Sequence, residues 1–174
     1  MTKLTIRSAE DADSLLERIR LSATRARDRL VAHADDPLLM FKCMKFDAIG
    51  FHPIDDRPLN LVEQINQTWT YAVAIVAARK LLSWHPDAGG FHLAPGAHAS
   101  LDLDIMSEAD GLVGAETFAA VTPKNNSKLN NDLAKLAKRA EIHRYVFFQS
   151  PQFPGSERRQ QFEHDGIQVW SVDV

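Results

Sequence analysis

The sequence predicts an α/β protein in one domain, with a mixed β-sheet flanked by helices. Three observations predict it. The chain is 174 residues long, the usual size of one domain and enough to bury a core without disulfides or a structural metal. Hydrophobic residues make up 45% and charged residues 25%, which sets aside collagen-like, disordered and coiled-coil readings. From residue 101 onward a hairpin is followed by helix, strand, helix and strand, an order that builds a mixed sheet with helices packed on it.

Taken in order, residues 8–34 read as a helix. Ser8 can cap it, Glu10, Asp11 and Asp13 sit where the helix dipole favours acids, and Leu15, Leu16, Ile19, Ala23, Ala26 and Leu30 recur at helical spacing. Arg18, Arg20, Arg25, Arg27 and Arg29 mark a solvated face. Residues 38–49 mix both periods and are read as a strand; Cys43 sits in a Met- and Phe-rich run that suits core packing. FHPIDDRPLN is a loop, in which Asp55 and Asp56 serve turn and cap formation. Residues 60–82 lack Gly and Pro and form a long helix, apolar on nearly every side in its second half. Its first half carries Asn60, Glu63, Gln67 and Thr70 on one face, which points to solvent unless the polar groups are used.

HPDAGG is a turn. SLDLDIM alternates, with Leu101, Leu103 and Ile105 on one side and Asp102 and Asp104 on the other, as a half-buried strand does. Asp110-Gly111 is a hairpin turn and residues 112–121 are the second strand. The helix from 128 shows Leu129, Leu133, Leu136, Ala137 and Ala140 as its apolar stripe, with Asp132 read as part of a solvated face. Residues 144–149 suit a buried strand, 156–166 a short helix and 167–174 a last strand.

Lys and Arg number 20 against 23 Asp and Glu, so a strongly basic coat is excluded and a nucleic-acid site must be a local patch. The single cysteine excludes an intramolecular disulfide and a cysteine zinc site, and favours a reducing compartment. No apolar run approaches the roughly 18 residues of a membrane span, and charges interrupt the N-terminal region where a signal peptide needs an apolar stretch. The expectation is a cytoplasmic protein with no membrane partner.

The hairpin carries the chemistry. An acid sits on each strand, and Glu116, flanked by Ala115 and Thr117, is an odd residue for the middle of an apolar strand. A carboxylate there needs a partner or a cation, and two converging carboxylates repel until a proton or a metal neutralises them. Hard oxygen ligands of this kind suit Mg²⁺ or Mn²⁺. Asp102 shares a strand face with Asp104 and is the alternative ligand. His85, His92 and His98 are spaced by seven and six residues, match no short zinc signature, and are read as loop histidines.

Asp104 at a strand end, the Asp110-Gly111 hairpin and Glu116 in the next strand together resemble the PD-(D/E)XK nuclease superfamily, the restriction-endonuclease-like fold. Asp104 matches its first acid and Glu116 its second. The element order is similar too: a long helix before the hairpin, a polar-to-basic helix after it, and two strands to close the sheet. The similarity covers about residues 56–173 and leaves 1–50 as an N-terminal helix and extension. It implies a metal-dependent phosphodiester hydrolase, DNA-directed before RNA. Asp104, Glu116 and, from the long helix, Glu63 would hold one or two Mg²⁺ or Mn²⁺ ions, which make a water more acidic and stabilise charge on the scissile phosphate. Gln67, one turn past Glu63, would bond the water or a phosphate.

One position departs from the family pattern. Its lysine belongs two residues after the second acid, where this chain has Phe118, and a phenyl ring neither donates nor carries charge. Lys124 or Lys128 could return an amine to Glu116; Lys124 is favoured as nearer in sequence. Lys128 and Lys135 belong to a basic cluster suited to phosphate contacts, with a solvated helix face, Asp132 among its lysines, as the simpler reading of each. Phe118 is also what argues for the alternative, a catalytically degenerate relative acting as a nucleic-acid- or protein-binding module. A third expectation is a homodimer joined through Phe147, Phe148, Phe153 and Trp170, set against burial of the same aromatics in the core, which is the favoured role.

Overall fold

Helix α1 (Ala9–Val31) starts on a reciprocal cap. The Ser8 hydroxyl accepts from the Asp11 amide at 3.1 Å, and the Asp11 carboxylate accepts from the Ser8 amide at 3.0 Å, so two otherwise orphaned donors are satisfied by one short motif. The structure is a computed structural model that describes residues 4–32, 35–96, 100–124 and 127–174. The chain divides into two compact units, Met1–Ala12 with Val73–Val174, and Asp13–Ala72.

The larger unit is built on a six-stranded mixed sheet. Its strands are β1 (Leu4–Ile6), β4 (Phe91–Leu93), β5 (Ile105–Ser107), β6 (Val113–Ala119), β7 (His143–Gln149) and β8 (Gln168–Ser171), lying side by side in that order. β1, β4, β5 and β6 pair antiparallel; β6, β7 and β8 pair parallel. Helix α4 (Lys128–Leu136) makes the crossover from β6 to β7 and contacts both. Its Leu129, Leu133 and Leu136 pack with Leu103, Phe118, Val146, Phe148, Ile167 and Val169. Each such apolar side chain removed from water contributes about 1.5–3 kcal/mol. Tyr145 and Phe147 point to the opposite face of β7. There they stack with Trp84, the last residue of α3 (Leu61–Trp84), which also meets Trp170. The second half of α3 is buried as its composition predicts, with Ala74, Ala77, Ala78 and Leu81 fully covered.

Gly114 on β6 is required by close approach. A Cβ there would lie 2.5 Å from Leu103 Cδ1 and 3.1 Å from the Glu141 side chain. The hairpin turn follows the prediction, with Gly111 at a φ of 69° that suits glycine.

The smaller unit contains most of α1, helix α2 (Pro37–Phe46), the two-residue strands β2 (Gly50–Phe51) and β3 (Pro58–Leu59), and the start of α3. Its centre is Gln64, 2% exposed. The Gln64 amide oxygen accepts from Phe51 N at 2.9 Å and its amide nitrogen donates to the Ser22 hydroxyl at 3.2 Å. Gly50 makes room for it, because a Cβ there would fall 2.6 Å from Gln64 Oε1. Asn60 caps α3 by accepting from the Glu63 amide at 2.9 Å.

Several expectations are corrected. Residues 38–49 are not a strand: Pro37–Phe46 is helix, because Asp36 accepts from the Leu38 and Leu39 amides and Pro37 occupies the first turn. Cys43 within it is buried as expected. Residues 156–166 form only a 3₁₀ turn at Gln160–Phe162. The reason is pairing to β8: Arg159 N donates to Val169 O, and Arg158 bridges to Trp170. His92 is not in a loop but in β4, and β1 was not foreseen. The first hairpin strand starts at Ile105, with residues 101–104 as bends leading into it. Phe147 and Phe148 are 0% exposed, in keeping with the core role favoured for them. No helix among the described residues is long and apolar enough to cross a membrane.

Candidate functional site

The register of β5 against β6 pairs Ile105 with Ala115 and Met106 with Gly114. One step further along the same ladder sets Asp104 opposite Glu116. Asp104 is fixed by its neighbour: its Oδ2 accepts from the Thr117 amide at 2.8 Å and from the Thr117 hydroxyl at 3.1 Å. Glu116 shares a face of β6 with Phe118, the face covered by α4. It is 2% exposed and meets an amine from that helix, with Lys135 Nζ 2.6 Å from Glu116 Oε1.

A third carboxylate joins them. Asp132 on α4 is 3% exposed and accepts from Lys128 Nζ at 2.6 Å. Lys128, Asp132 and Lys135 follow one another at helical spacing, so α4 lays a charged stripe beside its leucine stripe. Three buried acids thus face two amines.

This crowding shifts the acids. Burial, then the charge of Asp104, pushes the Glu116 carboxyl up to about 7, with Lys135 pulling the other way. Burial pushes Asp132 up to about 6, opposed by Lys128. Asp104 is also raised by burial, although the Thr117 amide and the lysines oppose it. Burial disfavours the Lys128 ammonium, but Asp132, Asp104 and Glu116 outweigh that and raise its pKa. Burial is the common cause for the three acids, and the charge of Asp104 adds to it at Glu116 and Asp132.

The Asp104–Glu116 pair offers two hard oxygens. One oxygen of Asp104 is taken by Thr117 and one of Glu116 by Lys135, which leaves Asp104 Oδ1 and Glu116 Oε2. No group of three or more His, Cys, Asp or Glu side chains among the described residues is arranged to hold a metal ion. Two carboxylates fit Mg²⁺ or Mn²⁺ that keeps several waters, and do not form a closed cage.

The other predicted residues are placed as follows. The Lys124 side chain is exposed, and its amine makes no hydrogen bond or ion pair among the described residues. Asp102 is an exposed acid paired with Arg139 at 2.8 Å. Glu63 and Gln67 belong to the smaller unit, on the first two turns of α3, where Glu63 is exposed and Gln67 half-buried. His85 is buried and bonded to the Tyr145 hydroxyl at 2.8 Å, while His92 meets the Thr5 hydroxyl at 3.1 Å. His98 lies outside the described residues. Phe118 is 5% exposed and stacks on Phe148 with ring centroids 5.6 Å apart.

Sequence reasoning missed Asp132. Its signal was present: it lies one turn from Lys128 and three residues before Lys135, on the side of the helix next to the leucines. No family model, curated protein or solved structure matches the chain.

Proposed function

We propose that the chain is a divalent-metal-dependent phosphodiester hydrolase of the nuclease type, with Asp104 and Glu116 as its paired carboxylates and Lys135 as its amine. The observation that carries this reading is Glu116, a carboxylate 2% exposed in a central strand, opposite a second buried acid and 2.6 Å from a lysine. Burying such a group costs stability, and packing alone does not ask for it. Further support comes from the element order. A long helix, an acid-bearing hairpin, a basic helix and two closing strands follow one another as the nuclease resemblance implies.

In this reading Asp104 Oδ1 and Glu116 Oε2 would hold Mg²⁺ or Mn²⁺, which when bound supplies Lewis acidity toward a phosphoryl oxygen. Thr117 keeps the Asp104 carboxylate turned to the site through two hydrogen bonds. Lys135 takes the role that the motif lysine would have: its ammonium donates to a water and orients it toward phosphorus. Nucleic acid is the substrate class.

Cleavage of plasmid and of single-stranded oligonucleotides, with and without Mg²⁺ or Mn²⁺, tests the reading. Metal-dependent cleavage should fall at least about a hundredfold in Asp104→Asn and in Glu116→Gln. Wild type indistinguishable from both variants would sink it. Phe118, packed on Phe148 where the family lysine would stand, favours a second reading, a non-cleaving nucleic-acid-binding module. That reading is selected if oligonucleotide binding survives Glu116→Gln while no cleavage occurs in any metal.

A further inference from the structure

The inference concerns Asp132 and rests on the hydrolase reading above. The Lys128–Asp132 pair is asymmetric. The Asp132 side chain is 4% exposed and the Lys128 side chain 43%, so a packed carboxylate holds the ammonium of a half-exposed lysine. An ion pair that serves only to solvate a helix leaves both partners exposed and contributes little. Here the acid is buried at a cost, and Asp132 Oδ2 has no hydrogen-bond partner among the described residues.

Helix stability does not explain the pair either. Lys128 is the first residue of α4, where the dipole disfavours a cation, and the order lysine before acid is the weaker one along a helix. Ser127 before it makes no side-chain cap bond, so the first-turn amides add positive character to that of the ammonium. Positive charge is thus gathered at the head of α4, on the same side as Asp104, Glu116 and Lys135. That is where a polyanion must sit for one of its phosphates to reach the carboxylates.

We propose that Asp132 is a positioning residue that pins the Lys128 ammonium at the mouth of the Asp104–Glu116 pair, where this ammonium receives the phosphate backbone of a nucleic-acid substrate. The buried anchor removes freedom that a lysine stem would otherwise lose on binding, so its effect falls on affinity and not on the chemical step.

The test is a double-mutant cycle on the full chain. Binding of a labelled DNA oligonucleotide is measured in Ca²⁺, and KM and kcat for cleavage in Mg²⁺, for wild type, Lys128→Gln, Asp132→Asn and the double variant. Lys128→Gln should weaken binding about tenfold and lower the salt dependence by about one phosphate contact. Asp132→Asn should raise Kd and KM by a similar factor with kcat little changed, and the double variant should lose no more than Lys128→Gln alone. Asp132→Glu, which keeps the charge, should recover part of the loss; if Asp132→Asn does not fold, the cycle runs with Asp132→Glu and the losses must again be non-additive. Additive losses, or Asp132→Asn binding like wild type, overturn the inference while leaving metal-dependent cleavage intact. Binding with this coupling but without cleavage defeats the hydrolase reading alone. No binding by wild type defeats both.

Discussion

Lys135 and Glu116 meet between α4 and β6, with Nζ 2.6 Å from Oε1, so the amine beside the second acid comes from the crossover helix and not from the strand that carries the acid. The Lys135 side chain is 47% exposed while that of Glu116 is 3% exposed, which leaves the ammonium reachable from outside. Lys135→Met should therefore reduce metal-dependent cleavage by about a hundredfold or more, and divalent binding, followed by calorimetry, should persist. Cleavage at the wild-type rate would remove Lys135 from the mechanism.

Putting the family lysine back should not help. Phe118 lies within the apolar cluster under α4, stacked on Phe148. Phe118→Lys removes that packing and buries a charge, so it should cost about 3 kcal/mol or more in a denaturant titration. It should also fail to restore cleavage to Lys135→Met. Recovery of activity in Phe118→Lys/Lys135→Met would mean that position 118 reaches the site after all.

The raised acids give the fold a pH dependence of unusual sign. Glu116 holds its proton up to about 7 in the folded chain, and burial is the main cause. In the unfolded chain it ionises near 4.3. Between those values the folded state binds more protons, so stability is full at the acid end and declines as pH rises toward 7. Asp132, raised to about 6, acts in the same direction over a lower window. Chemical denaturation should show a loss of about 4 kcal/mol from these two groups together between pH 5 and pH 8. Glu116→Gln should flatten the profile and be relatively more stable at the alkaline end. A wild-type profile rising through that window, unchanged in Glu116→Gln, would contradict the assignment.

The smaller unit depends on one amide side chain. Gln64→Leu would leave Phe51 N and the Ser22 hydroxyl without that partner inside the unit. It should destabilise by about 1–3 kcal/mol. Gly50→Ala should be comparably damaging, since the added methyl meets Gln64 Oε1 at 2.6 Å. Combined with Gln64→Ala, the Gly50→Ala substitution should cost less than it does alone, because the clash has been removed; equal costs in both backgrounds would discount the contact.

Much of the larger unit was legible because its signals are local. Asp110-Gly111 marks the hairpin, and the leucine spacing of α4 marks the helix that packs on it. The long α3 declared itself by its run without Gly or Pro. α2 was misread as a strand because its apolar residues follow neither period cleanly, although Asp36-Pro37 is a helix-start signal that outweighs them. β1 and β4 have three residues each and exist because they pair with each other and with β5, a long-range fact that no local pattern states.

The candidate site was legible in part for the same reason. Asp104 and Glu116 flank a tight turn, so sequence spacing fixes their register. The lysine could not be found by proximity in sequence, because nineteen positions separate Lys135 from Glu116 and only the fold of the crossover brings them together. Asp132 was read as solvated because a lone acid among lysines usually is.

β1 has a consequence for handling the chain. Leu4, Thr5 and Ile6 occupy the outer margin of β4, whose Phe91 and Leu93 would otherwise offer bare amides and carbonyls beside apolar side chains. A deletion that trims these few residues would replace a three-residue edge strand with the apolar β4 as the sheet margin, and self-association under expression should follow before any loss of secondary structure.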